Sequence, residues 1–182
     1  MKEYILEIKK VIPSILCKKI ISYFDNNYFD AKTTGAGVDK DIRNCTTRNL
    51  FDCSSFGQKI YSLAVQEKVF GCVQQYKNRH KKLHIDKISQ LDLLKYETNT
   101  HKAGYNFHYD MGLTCTERQL SISICLNNNF EGGEFVFDTP EGDYIFPQNE
   151  GDAVIFPSNF MYPHQVNKVT KGTRYALIAW VI

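Results

Sequence analysis

The chain has 182 residues, 43% of them hydrophobic, and 22 Lys and Arg stand against 20 Asp and Glu for a formal net charge of +2. That length builds one compact domain with a real core, expected over 1–182, and is short for two. So near-neutral a balance raises no field that would draw the chain to nucleic acid or to a membrane surface, so nucleic acid is disfavoured and any partner has to be inferred from a site.

The opening stretch MKEYILEIKKVIPSIL mixes charges through its apolar residues and lacks the apolar centre and cleavage signal of a secretory peptide. No segment approaches the roughly 18 apolar residues of a membrane span. Cysteines 17, 45, 53, 72, 115 and 125 form no CxxC pair and no zinc pattern, which fits reduced thiols and a cytoplasmic protein. Pro13-Ser14 opens PSILCKKIISYFDNN, whose apolar residues at three-to-four spacing predict a helix ending at Asp25-Asn26-Asn27. The polar run TTGAGVDKDIRNCTTRNL that follows reads as a loop or irregular strand able to border a pocket. A second helix is predicted from about Ser55 to Lys77, with Ile60, Leu63, Ala64, Phe70 and Val73 on its buried stripe. The basic run KNRHKK at its end complements the helix dipole. His80, His84 and His101 fall outside any ligand spacing and read as surface residues, and Asn99 to Gly104 reads as a mobile loop.

Helical support is thus expected over about 1–88 and a β half over about 89–182. There LDLLKYE, YNFHYDM, QLSISICLN, GGEFVFD, DAVIFP, HQVNKV and TRYALIAWVI alternate with Gly, Asn, Pro and Asp clusters, the spacing of an antiparallel β sandwich. The fold class is mostly β with packed helices: a jelly roll with the helices against one sheet. In SISICLN, Ile122, Ile124 and Leu126 suit the helix side, which turns Ser121, Ser123, Cys125 and Asn127 toward the interior and sets Ser123 and Cys125 near any bound small molecule. The pair Gly132-Gly133 answers a backbone need, with Glu134 expected at the cavity rim.

Residues two apart in a strand share a side, so His108 and Asp110 can enter a barrel together while Tyr109 faces away. Two imidazoles and one carboxylate can cap one face of a ferrous ion and leave the other open, the facial triad of non-haem iron oxygenases. An HxD pair alone is weak, because short motifs recur by chance. His164, after the turn-rich IFPSNFMYP, is the candidate third ligand. The run HQVNKVTKGTRYALIAWV reads as a hairpin turning near Lys171-Gly172, which would set Arg174 beside His164, with Arg174, Ala176, Ile178 and Trp180 on one face. A buried arginine needs an anion. Fe(II) with one carboxylate keeps one positive charge, Arg174 adds another, and a dicarboxylate neutralises both. The plain alternative is a surface arginine on an edge strand.

The ordered blocks LLKYE, GYNFHYDMG, LSISICLNNNFEGGEFVF and GDAVIFPSNFMYPHQVNKVTKGTRYALIAWV resemble the prolyl 4-hydroxylase-like branch of the iron(II) and 2-oxoglutarate-dependent dioxygenases, and GVDKDIRN resembles a segment upstream of their catalytic half. The resemblance implies a double-stranded β-helix in which His108, Asp110 and His164 hold Fe(II), Arg174 binds the distal carboxylate of 2-oxoglutarate, and Tyr96 reaches the same cosubstrate. It implies use of O2, with ascorbate as a reductant, and hydroxylation of a peptidyl proline or other protein side chain coupled to decarboxylation of 2-oxoglutarate to succinate and CO2. Ala176 departs from the Arg-x-Ser pattern of some distant members, so a second contact to the carboxylate has to come from elsewhere. Asp110 argues against a halogenase. A free amino acid or small metabolite as substrate, and a jelly-roll binding module without turnover, stay open. Oligomeric state is not legible.

Overall fold

The computed structural model describes residues 2–33, 37–85, 87–98 and 103–182, so His101 and most of the Asn99–Gly104 loop lie outside the described residues. In chain order the elements are β1 (Leu6–Ile8), α1 (Ser14–Phe24), β2 (Phe29–Asp30), β3 (Arg43–Asn44), β4 (Thr46–Asn49), α2 (Phe56–Arg79), β5 (Ile88–Glu97), β6 (Gly104–His108), β7 (Leu120–Cys125), β8 (Phe130–Gly132), β9 (Phe135–Phe137), β10 (Tyr144–Phe146), β11 (Ala153–Pro157), β12 (His164–Val166) and β13 (Val169–Val181). The larger sheet runs β1-β11-β7-β13-β5-β4-β2, with β8 added to β13, and the smaller runs β10-β9-β12-β6-β3. Every ladder between named strands is antiparallel. The two sheets face each other as a double-stranded β-helix.

Period-two alternation sorts the larger sheet into two faces. Leu91, Leu93, Ile122, Ile124, Ile155 and Leu177 join one apolar cluster with Cys17, Ile20 and Phe24 of α1 and with Val65, Val69 and Cys72 of α2. Their neighbours one residue along, including Leu94, Tyr96, Phe156, Ile178 and Trp180, enter a second cluster between the sheets with Phe135 and Phe137 of the smaller sheet. The helices therefore cover one face of the larger sheet, as expected, and the other face is left to build a cavity.

Three expectations are corrected. On α2, Val73 is buried, but Ile60, Leu63 and Phe70 are exposed and the buried face carries Gln58, Ser62, Val65, Val69, Cys72, Val73 and Tyr76. The helix has apolar residues all round, so periodicity misplaced its inner stripe. Gln58 is tolerated inside because Nε2 donates to the Tyr23 carbonyl and Oε1 accepts from Ser54. Second, β13 runs unbroken through Lys171-Gly172 and pairs with β5 and β7, whereas β12 pairs with β6 and β9 of the other sheet. No hairpin forms there. Gly172, at φ +75°, passes where a Cβ would lie 2.5 Å from the Asn129 carbonyl, so it serves close approach to β8 within the strand. Third, the N-terminal half also supplies β1 and β2, while β3 and β4 fall in the run read as a loop or irregular strand, and β8 and β10 are strands that the sequence left unassigned.

The corrected stripe has a direct check in chemical denaturation. Val69→Ala should cost about 2 kcal/mol through a lost core contact, whereas Leu63→Ala should stay within about 0.5 kcal/mol of the parent.

Candidate metal centre and cleft

His108 ends β6, Asp110 follows two residues later, and His164 opens β12, where it pairs with His108 across the ladder. One ligand atom from each lies within 4.8 Å of the others. His108 Nε2 is 3.7 Å and His164 Nε2 3.6 Å from the Asp110 carboxylate oxygens. Each Nδ1 faces a backbone carbonyl, of Asn106 at 2.8 Å and of Tyr162 at 3.0 Å, so Nδ1–H donates there and the Nε2 lone pair is left for a metal. Burial, then the neighbouring His164, lowers His108 to about 3, which keeps its imidazole neutral. For Asp110 burial favours the neutral acid, but the two imidazoles and the Ser121 hydroxyl at 2.5 Å bring the carboxyl below its ordinary range. Rings fix the imidazoles in place: Tyr105 stacks on His108 with centroids 3.4 Å apart, Phe135 stacks on His164 at 5.2 Å, and Phe156 meets His164 edge-on at 4.8 Å. Two imidazoles with their Nε2 atoms turned to one carboxylate on one side of a cavity are the donor set that suits a ferrous ion.

Arg174, on β13 directly opposite Tyr96 of β5, is 1% exposed. Its Nη2 donates to Gln148 Oε1 at 2.7 Å, and the guanidinium sits over the rings of Tyr96 and Phe130 at 5.3 and 5.9 Å. Among the described residues it forms no ion pair with a carboxylate. Gln148 Nε2 in turn donates to the Ser123 carbonyl and hydroxyl, so this amide, not foreseen from sequence, braces the arginine against β7. Gly133 has φ +68°, and a Cβ there would lie 2.9 Å from Arg174 Cδ and 3.0 Å from Val169 Cγ2. Glu134 is exposed, accepts from Asn167 Nδ2 and is not among the residues that line the cavity.

Tyr96, His108, Asp110, Ser123, His164 and Arg174 all line one inner cavity, Ala176 beside them. All six residues singled out from sequence thus converge. Cys125 is fully buried, bonds the Asn127 carbonyl and is not among the cavity's lining residues. His80, taken for a surface residue, is half-buried between Tyr4 and Tyr76. A wider outer cleft adjoins the cavity, sharing Arg43, Tyr105, Asp110 and Trp180 with it and adding Gln90, Asp92 and Arg118. Arg118 stacks on Trp180 at 3.8 Å, donates to the Asp110 carbonyl at 3.0 Å and to Gln90 Oε1 at 2.9 Å. Burial raises the Asp92 carboxyl above its ordinary range against the pull of Gln90, Thr47 and the two arginines. The signal for Asp92 was present in LDLLKYE, where it shares a face with Leu94 and Tyr96.

Gly133→Ala should lower the thermal midpoint by the equivalent of about 1–3 kcal/mol, because a methyl group meets both an unfavourable φ and the stem of Arg174. A melt followed by circular dichroism reads it.

The sequence profile of the 2OG-Fe(II) oxygenase superfamily matches residues 72–182. A PKHD-type hydroxylase of Idiomarina loihiensis is 26% identical over 181 residues, covering 97% of this chain and 77% of that protein. Another, of Crocosphaera subtropica, is 32% identical over 105 residues, 54% of this chain and 45% of its own length, so the match spans under half of that relative. Among solved structures, a Trichoplax adhaerens prolyl hydroxylase in complex with a hypoxia inducible factor oxygen degradation domain peptide fragment superimposes with TM-score 0.80 at 15% identity, over 99% of this chain and 84% of that one. A Pseudomonas putida prolyl-4-hydroxylase gives 0.71 at 17% identity, over 98% and 91%. Identities so low speak for the fold alone, which is that of the prolyl hydroxylases, but the profile covers well over half of the chain: it belongs to the 2OG-Fe(II) oxygenase superfamily.

Proposed function

We propose that this chain, acting as a single domain over 1–182, hydroxylates a C–H bond of a peptidyl proline or other protein side chain. His108, Asp110 and His164 hold the iron, Arg174 grips the distal carboxylate of 2-oxoglutarate, and Tyr96 and Ser123 flank that cosubstrate. One observation carries the reading: a guanidinium buried to 1% exposure, with no carboxylate of the described residues paired to it, in the same cavity as a two-imidazole and carboxylate ligand set. A buried charge of this kind is costly until an anion from outside compensates it.

Bound together, Fe(II), 2-oxoglutarate and O2 supply the oxidising power, one oxygen atom ending in succinate as CO2 leaves and the other in the substrate hydroxyl. The protein's residues orient and exclude. The carbonyls of Asn106 and Tyr162 hold both imidazoles in one tautomer, Ser121 holds the Asp110 carboxylate, and Gln148 holds the Arg174 fork. Phe135, Phe156 and Tyr105 keep the ligands apolar-walled and dry. The outer cleft, which meets the inner cavity at Asp110 and Trp180, is where the substrate approaches. The relatives named for hydroxylase activity and the peptide-bound fold neighbour support a peptide substrate. Ascorbate as reductant belongs to the same proposal, as does a cytoplasmic setting, with which six unpaired thiols agree. Among the described residues no helix is long and apolar enough to cross a membrane.

Anaerobic titration with Fe(II) and 2-oxoglutarate should raise a visible charge-transfer band. His108→Ala should abolish it, and Arg174→Ala should weaken 2-oxoglutarate by about a hundredfold, the scale of a lost buried charge partner at 2–5 kcal/mol, with metal affinity nearly unchanged. Unaltered 2-oxoglutarate affinity in Arg174→Ala would falsify the assigned role. A mass-spectrometric screen of proline peptides and free amino acids for a gain of one oxygen separates the peptide reading from a metabolite one.

A further inference from the structure

α2 carries a second apolar face that the fold leaves uncovered. Val65, Val69, Cys72 and Tyr76 turn inward to the cluster shared with α1 and the larger sheet. On the opposite side of the helix Phe56, Ile60, Leu63 and Phe70 are 78%, 47%, 64% and 40% exposed. With about 3.6 residues to the turn, these four and Glu67 all lie within about 40° of one line along the helix, at the alternating steps of four and three that a packed helix pair uses. Exposed apolar residues scattered singly mean nothing, but a continuous row of them marks an interaction surface. Gly71, exposed on the flank of this row, lies where a Cβ would meet nothing within 4 Å. Glycine weakens a helix, and no close approach among the described residues calls for it here, so its bareness keeps that flank open to something outside.

The charges on this face say what covers it. Between Phe56 and Phe70 the exposed charged residues are Lys59 and Glu67, and Glu67 keeps 77% of its side chain exposed although Lys68 stands 3.6 Å away. Each lies four residues from Leu63, on opposite flanks of the row, and Phe56 and Phe70 each lie seven from it. A two-fold axis through Leu63 exchanges the members of both pairs. We infer that α2 joins two copies of this chain in an antiparallel, isologous contact: Leu63 meets Leu63, Phe56 meets Phe70, and Lys59 meets Glu67, the last two pairs being made twice. A parallel arrangement sets Lys59 on Lys59 and Glu67 on Glu67, so charge decides the direction. α2 lies behind the larger sheet, whose other face builds the cavity, so both cavities stay open in the pair. One helix face about 10 Å wide covers less than the roughly 800 Å² per partner of a standard interface, which makes the pair weak, with a dissociation constant on the order of 50 µM. The inference stands apart from the reaction proposed above.

Sedimentation velocity of the full chain, from about 1 µM to about 300 µM, brackets that range. The weight-average mass should climb from 21.0 kDa toward twice that value. Leu63→Glu should stay at the monomer mass throughout, and at about 1 µM, where the parent is dissociated too, it should melt with the parent. Lys59→Glu and Glu67→Lys should each weaken association about tenfold, because two attractive pairs turn repulsive. Together in one chain the two substitutions exchange the charges and should restore the parent's affinity, a recovery that neither misfolding nor general stickiness produces. A parent that stays at the monomer mass, a Leu63→Glu protein that dimerises equally, or a double variant no better than the singles overturns the inference. So does a monomeric parent whose cosedimentation with phosphatidylcholine–phosphatidylglycerol vesicles is lost in Leu63→Glu, which gives the face to a lipid surface.

Discussion

A guanidinium buried with no carboxylate of the described residues paired to it is the constraint around which the catalytic half is arranged. Arg174 cannot be left to water, because β13 lies inside the larger sheet, and the protein gives it only the dipole of Gln148 and two aromatic faces. Charge and geometry then act together: the cavity that holds this cation also holds the two-histidine, one-carboxylate set, and under the proposed function a small diacid would reach from an iron held there to the guanidinium. Ala176 keeps the intervening floor low, and Gly133 lets β8 and β9 close over the arginine's stem without collision.

The two faces of one sheet divide the labour. Alternation on β5, β7 and β13 sends Leu91, Leu93, Ile124 and Leu177 to the helices and Asp92, Ser123 and Arg174 to the cavity. Stability on one side supports a polar, partly unsatisfied surface on the other. This is the familiar exchange in which an active surface holds groups that the core would reject.

Much of this was legible in the amino-acid order. The HxD spacing, the later histidine and the alternation around Arg174 pointed to four of the residues that line the cavity, the alternation of SISICLN to Ser123, and the family resemblance alone to Tyr96. What failed was long-range or ambiguous. The strands bearing His164 and Arg174 were read as a hairpin because a Lys-Gly pair looks like a turn, whereas Gly172 is there for close packing against β8. The inner stripe of α2 was missed because that helix is apolar all round and buries Gln58 and Ser62 through local hydrogen bonds that no periodicity records. Gln148 acts through Arg174 and Ser123, both distant in sequence, so its role appears only once the sheets are assembled.

The strand order carries a consequence for how the molecule is made. β13 sits between β5 and β7 and also receives β8, yet in chain order it follows every other described strand. A ribosome therefore releases β5 and β7 with open, hydrogen-bond-hungry edges that wait for their shared neighbour, a topology of long contact separation and slow closure. Chaperone cover during that interval, and low temperature during recombinant production, should matter more for this protein than for a helical domain of equal size.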